Sequence, residues 1–182
     1  MRVLGLDPGS RCTGWGVVDR HGNRYTMVAF GQVVPSAKLG LPHRLHAIAE
    51  RIGAVMDEHQ PECVAVEEAF YHQSVRSTLV LGHVRGALIV AAVSRGFEIA
   101  EYSPRAIKLA VTGSGAAAKE QVSFMVRRLL AIEGALKSDA SDGLAVALCH
   151  LQRVNRAIPE RRAASAAAQR LEVLMLTRRI TT

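Results

Sequence analysis

Two hydrophobic periods succeed one another along this chain in an order that few folds can accommodate. Residues 2–6 are a short apolar run closed by Asp7-Pro8-Gly9-Ser10. Residues 14–19 are a second run, rich in Val with one Trp, and residues 25–34 follow the His21-Gly22-Asn23 turn with β-branched and aromatic side chains. Apolar runs bounded by turn formers read as strands, and connections this short make an antiparallel meander of three. The period then changes. Leu45, Ile48, Ile52, Val55 and Met56 recur at three and four within residues 41–59, the spacing of an amphipathic helix. Residues 63–66 are an uninterrupted apolar run ended by Glu67 and Glu68, as expected of a buried central strand. Further helices are expected over 74–95, 104–111, 116–132 and from Ser138 onward, with a last strand over 97–102. The order βββ-α-β-α-β-α-α-α describes an α/β fold, a mixed five-stranded sheet with helices on both faces.

The helix over 74–95 departs from the amphipathic pattern. Leu79, Val80, Leu81, Val84, Leu88, Ile89, Val90 and Val93 cover more than one face, so one face is expected on the sheet and another on a second body. Gly82 and Gly86 allow close approach there.

Charge and cysteine usage narrow the class of function. With 182 residues the chain suits one globular domain, and a formal net charge of +7 favours an acidic partner, nucleic acid being the commonest. Cys12, Cys63 and Cys149 stand far apart in no zinc or disulfide spacing. A reducing cytoplasm is therefore expected. Met1 runs straight into the first strand without a basic leader or long apolar stretch, and neither secretion nor a membrane span is expected.

Four acids fall at element ends. Asp7 closes the first strand, Glu67 closes the central strand, and Asp139 and Asp142 lie in the first turn of the last helix. Three residues apart on a helix, Asp139 and Asp142 project from one face. If the first and fourth strands are neighbours, Asp7 and Glu67 lie roughly 5 Å apart, one inter-strand spacing. Carboxylates this close raise one another's pKa and need cations to remain ionised. Oxygen-only ligands favour Mg²⁺ or Mn²⁺ over zinc. Taken singly, each acid has an ordinary reading as a helix N-terminal acid, a turn former or a surface charge.

The motifs resemble, in order, those of the RuvC Holliday-junction resolvases. They are Gly5-Leu6-Asp7-Pro8-Gly9-Ser10 with Thr13-Gly14-Trp15-Gly16-Val17, then Val66-Glu67-Glu68-Ala69-Phe70, then Leu81-Gly82 with Arg85-Gly86, and Ser138-Asp139-Ala140-Ser141-Asp142 with Leu144-Ala145. The resemblance spans residues 1–155 and implies a ribonuclease H-like nuclease domain there, with residues 156–182 as a basic tail. It implies that Asp7, Glu67, Asp139 and Asp142 are the catalytic carboxylates. They would hold two Mg²⁺ ions per active site, with Mn²⁺ able to substitute. It further implies paired symmetric nicking of a four-way DNA junction by a homodimer, in recombination and repair, in partnership with the RuvAB branch-migration complex. A two-fold dimer matches the approximate two-fold symmetry of such a junction, and the helix over 77–93 is the candidate interface.

The same resemblance makes Phe70 an aromatic that stacks on exposed bases at the junction centre, with Tyr71 able to share the task. Lys108 and Lys119, flanking Gly113-Ser114-Gly115, match basic positions near the scissile phosphate. Arg76 is placed as a phosphate contact by its location at the entry to the long helix. A core Phe and solvated surface lysines are the ordinary alternatives. His43, His46 and His72 form no ligand pattern, and His150 lies two turns beyond Asp142, too far to share its ligand. From Leu151 onward the chain carries seven arginines, at 153, 156, 161, 162, 170, 178 and 179, against Glu160 and Glu172. Ala163, Ala167, Leu171, Leu174 and Met175 could form one apolar helix face within this stretch. Two rivals remain in view. A sugar-kinase-like or actin-like ATPase shares the opening motif but needs two such domains. A junction-binding module without cleavage would not need the full acid set.

Overall fold

A computed structural model describes residues 1–68, 74–134 and 136–154. The elements are β1 (Arg2–Asp7), β2 (Thr13–His21), β3 (Arg24–Val33), α1 (Leu41–His59), β4 (Cys63–Glu67), α2 (Val75–Val93), β5 (Glu98–Tyr102), α3 (Pro104–Thr112), α4 (Lys119–Leu129) and α5 (Ser138–Val154). The strands form one sheet in the order β3-β2-β1-β4-β5. β1, β2 and β3 pair antiparallel. β4 lies parallel to both β1 and β5. The mixed sheet expected from the two hydrophobic periods is therefore present.

Strand alternation divides the core. Leu4 and Leu6 of β1 with Val64 and Val66 of β4 pack on Ile48, Ile52 and Met56 of α1 and on Val84 and Leu88 of α2. Val3, Val18 and Ala65 face the other way, onto α3, α4 and α5 through Ile107, Val111, Val122, Val126, Leu144 and Leu148. Helices thus cover both faces. By the period of two, Asp7 shares a face with Val3 and Glu67 shares one with Ala65. Both acids point to the side that α5 covers.

α5 is buried from Ala140 to Leu151 at every residue but Asp142. It lies almost backbone to backbone on β1 and β2, and glycines make this possible. A Cβ on Gly5 would sit 2.1 Å from the Gly143 carbonyl oxygen, and one on Gly14 would sit 1.8 Å from that of Asp139. The short glycine-rich strands thereby bring the first turn of α5 down to the end of β1.

Two helix ends differ from the expected 116–132 span. α4 begins at Lys119, because Gln121 Oε1 accepts the Ala118 backbone N–H at 2.9 Å and closes the entry there. It ends at Leu129, and Ala131 adopts a left-handed φ of 51° that no helix continues through. α2 opens with Ser74, whose Oγ accepts from the Ser77 N–H. The expected tail, residues 156–182, lies outside the described residues.

Candidate active site

β1 and β4 run parallel with Leu6 beside Val66, so the next two residues, Asp7 and Glu67, close adjacent strands side by side. Asp142 of α5 joins them. The three acids line one cavity of about 280 Å³ together with Lys108 of α3 and Lys119 of α4, walled by Pro104, Ile107, Val122 and Ala145. Lys119 Nζ stands 2.8 Å from Asp142 Oδ2. The α3–α4 turn between the two lysines begins at Gly113, whose φ of 79° suits glycine and whose N–H bonds the Leu109 carbonyl.

The cluster is short of positive charge. Burial pushes the Asp7 carboxyl up to about 8, and the charges of Glu67 and Asp142 push in the same direction. Glu67 is also raised, first by burial and then by Asp142, while the hydrogen bond from Asp7 opposes this. The pair therefore shares a proton, with Asp7 donating to Glu67. Asp142 is raised by burial against the lowering pull of Lys119, and Lys119 is raised by its hydrogen bond to Asp142. Desolvated like charges lining one pocket are a signature of functional sites.

Asp139 is held apart from this group. Its Oδ2 accepts a 2.6 Å hydrogen bond from Gln32 Nε2 of β3, and the Cys12 thiol also bonds it. The Cys12 thiol is pushed up to about 11 by burial first and by Asp139 next, so it stays a neutral donor. Asp139 still lies near enough to raise both Asp142 and Lys119. Of the sequence-expected residues, the structure gathers Asp7, Glu67, Asp142, Lys108 and Lys119 at one pocket, and Asp139 is not among the residues that line it. Arg76 sits exposed in the first turn of α2 and does not line the pocket. Phe70, Tyr71 and His72 lie outside the described residues. Glu68 is exposed, its N–H bonded to the Tyr102 carbonyl. His150 is buried and meets Tyr102 Oη through Nδ1 at 2.9 Å. The apolar walls, Gln32 and Cys12 are the additions. Gln32 was discoverable only through the β2–β3 register that sets it opposite Gly14.

The donor chemistry fits a hard divalent cation, since every candidate ligand is a carboxylate and the raised acids gain from added positive charge. As the side chains are placed, no group of three or more His, Cys, Asp or Glu among the described residues closes around a single point. Asp142 is turned to Lys119 and Asp139 to Gln32. Lys119 and a cation bound at this pocket would thus draw on the same Asp142 carboxylate.

α2 presents a second surface. Val84 and Leu88 are fully buried, whereas Val75, Leu79, Val90 and Val93 are exposed, and a Cβ on Gly82 or Gly86 would meet nothing within 4 Å. These exposed positions recur at three and four along one stripe. By length and composition α2 is the one helix among the described residues able to cross a membrane, with a mean hydropathy of 1.3. Its other face is built into the core.

The family model described as "Crossover junction endodeoxyribonuclease RuvC" matches residues 3–150. A protein of that name from Caulobacter sp. (strain K31) is 48% identical over 160 residues, covering 87% of this chain and 95% of the relative. The solved RuvC of Thermus thermophilus superposes with a TM-score of 0.79 at 34% identity, covering 86% of this chain and 96% of that one. The same protein in complex with a Holliday junction substrate gives a TM-score of 0.81. The fold is ribonuclease H-like, and the yeast mitochondrial Holliday junction resolvase Ydc2 shares it at 12% identity with a TM-score of 0.60.

Proposed function

This chain belongs to the RuvC family of crossover junction endodeoxyribonucleases, and from that premise we propose that it resolves four-way DNA junctions by paired, symmetric hydrolysis of phosphodiester bonds. It is a hydrolase of recombination and repair. The observation that carries the site assignment is the convergence of Asp7, Glu67 and Asp142 from three elements on one cavity that also holds Lys108 and Lys119.

In this reading Asp7, Glu67, Asp139 and Asp142 hold two Mg²⁺ ions, or Mn²⁺, through carboxylate oxygens. Bound there, the cations supply an activated water and charge stabilisation for the leaving oxygen. The protein's own groups do the rest. Asp7 and Glu67 give up their shared proton when the site is loaded. Lys108 and Lys119 neutralise the scissile phosphate from the α3–α4 side. Phe70 follows Glu67 by three residues and stacks on unpaired bases, a contact worth roughly 1–3 kcal/mol. Arg76 contacts backbone phosphate as α2 begins.

The exposed seam of α2 receives the same seam of a second copy. A helix with one face in the core and another apolar, glycine-relieved face at the surface is built for close packing between helices. The resulting two-fold dimer brings two active sites to one junction. The basic tail from residue 156 adds phosphate contacts, and RuvAB is the partner that the family membership implies. The protein acts in the cytoplasm, where DNA and reduced cysteines are both found.

Incubation with a synthetic mobile junction and a matched linear duplex, in Mg²⁺ or in EDTA, tests the reading. Symmetric nicks in the junction alone, dependent on Mg²⁺, are expected. Equal cutting of both substrates, or none, would overturn it.

A further inference from the structure

Gln32, Gly14 and Asp7 lie in one row across three adjacent strands. Gln32 of β3 is the register partner of Gly14 of β2, and Gly14 is the register partner of Asp7 of β1. Side chains in one row of a sheet point to one face, so Gln32 faces α5 as Asp7 does. Over this row sits the first turn of α5. Its backbone is admitted by the missing Cβ of Gly14, which would otherwise lie 1.8 Å from the Asp139 carbonyl oxygen. Its Asp139 side chain is caught by Gln32, Nε2 to Oδ2 at 2.6 Å.

We infer that Gln32 is a positioning residue for Asp139, holding one oxygen of that carboxylate through its side-chain amide and so setting how it meets a cation. The inference rests on the reading of Asp139 as a metal ligand. Its chemistry favours glutamine. Asp142 already has a cationic partner in Lys119, so Asp139 is the acid left to be oriented by something else. A Lys or Arg at position 32 would orient it too, but a fixed positive charge would compete with a dication for the same oxygens. A neutral amide donor fixes one oxygen without cancelling the charge, as outer-shell partners of ligating carboxylates do. β3 is an edge strand, where a polar side chain reaching over β2 is not needed to fill the core.

The test uses the full-length protein without DNA, titrated with Mn²⁺ while the thermal midpoint is followed, alongside junction nicking. Gln32→Met keeps the side-chain length and removes the donor. It should leave the midpoint in EDTA little changed and raise the Mn²⁺ concentration for half-maximal stabilisation about tenfold, the lower end of outer-shell losses. Gln32→Asn keeps an amide but withdraws it by one methylene, so it should show the same loss, and it serves if Met disturbs the strand. In an Asp139→Asn background either change should add nothing further, because the group being positioned is gone.

If Asp139→Asn weakens Mn²⁺ binding while Gln32→Met and Gln32→Asn do not, the inference is overturned and the ligand assignment stands. If the losses at 32 and 139 simply add, Gln32 acts elsewhere and the inference is overturned as well. If Asp139→Asn itself leaves Mn²⁺ binding unchanged, the assignment of Asp139 as a ligand and the inference fall together.

Discussion

Lys119 Nζ and Asp142 Oδ2 stand 2.8 Å apart in the lining of the acidic pocket, joining the first residue of α4 to the one residue between Ala140 and Leu151 of α5 that is not buried. The lysine supplies positive charge where the protein otherwise gathers negative charge. It therefore stands in competition with any cation that Asp142 would bind, and it is also the charge best placed to meet a phosphate.

These two roles predict a split outcome for Lys119→Ala. The lysine side chain is 60% exposed, so the pair is worth at most about 1 kcal/mol and the thermal midpoint should barely move. Freed from the lysine, Asp142 should take Mn²⁺ up to about fivefold more tightly, the same energy read as affinity. Nicking of the junction at saturating metal should nevertheless fall by about 10²-fold, the loss expected when one donor to the transition state is removed. Metal-dependent thermal shifts and single-turnover cleavage report the two arms separately. Parallel losses in both would mean that Lys119 supports the structure of the site rather than the phosphate.

The proton shared by Asp7 and Glu67 ties stability to pH. Asp7 is raised from an ordinary value of 3.8 to about 8 in the folded protein. Between these values the folded chain keeps a proton that the unfolded chain has released, so the folded state binds more protons and loses stability as pH rises. Glu67 and Asp142, raised in the same direction, steepen the trend. In EDTA the thermal midpoint should fall between about pH 5 and about pH 8, and Asp7→Asn should flatten the slope. Saturating Mg²⁺ should restore the midpoint at the alkaline end. An unchanged slope in Asp7→Asn would show that Asp7 is not the group that holds the proton.

Glycines separate the requirements of the fold from those of assembly. Gly14→Ala drives a methyl group into the Asp139 backbone, and the shift of α5 should cost about 1–3 kcal/mol with loss of cleavage, read by denaturant melts. Gly86 has open space around its Cα, so Gly86→Ala should leave the fold intact and add up to about 1 kcal/mol of helix stability. Gly86→Leu should fold, yet sediment as a monomer that no longer makes paired nicks. An unmodified protein that sediments as a monomer at micromolar concentration would remove the dimer from the mechanism.

The elements that were legible in the sequence are those in which one hydrophobic period persists. The run from Cys63 to Val66 and the spacing from Leu45 to Met56 both formed where expected, because burial on a sheet face or under a helix selects residues at regular intervals. The meander followed from element order, which permitted β1 and β4 as neighbours without requiring it. What escaped were facts of closest approach. Gly5, Gly14 and Gly16 stood out as a motif, but only the packed α5 shows that Cβ atoms there would strike its backbone or Leu144. Gln32 carries no local signal of its contact, since its partner Asp139 is 107 residues away. The start of α4 at Lys119 depended on one side-chain cap rather than on periodicity.

The neighbouring acids Glu67 and Glu68 provide the sharpest test of register. A strand turns successive side chains to opposite faces, so a slip by one residue would exchange their roles. β4 places Glu67 at its last position, lining the pocket beside Asp7, while Glu68 is exposed and tied to β5 only through its backbone N–H on the Tyr102 carbonyl. That backbone bond survives any change of side chain. Glu68→Gln should therefore cleave junctions within about threefold of the unmodified rate, a change of well under 1 kcal/mol in the barrier. Glu67→Gln keeps the shape and the hydrogen bond from Asp7 but removes one negative charge from the cluster. It should lose cleavage by at least about 10²-fold while still binding the junction, and Asp7→Asn should behave alike. The charge of Glu67 adds to burial in raising Asp7, so Glu67→Gln should also lower the pH at which Asp7 releases its proton, visible as a shallower loss of stability toward alkaline pH in EDTA. An inactive Glu68→Gln beside an active Glu67→Gln would place the wrong acid at the end of β4.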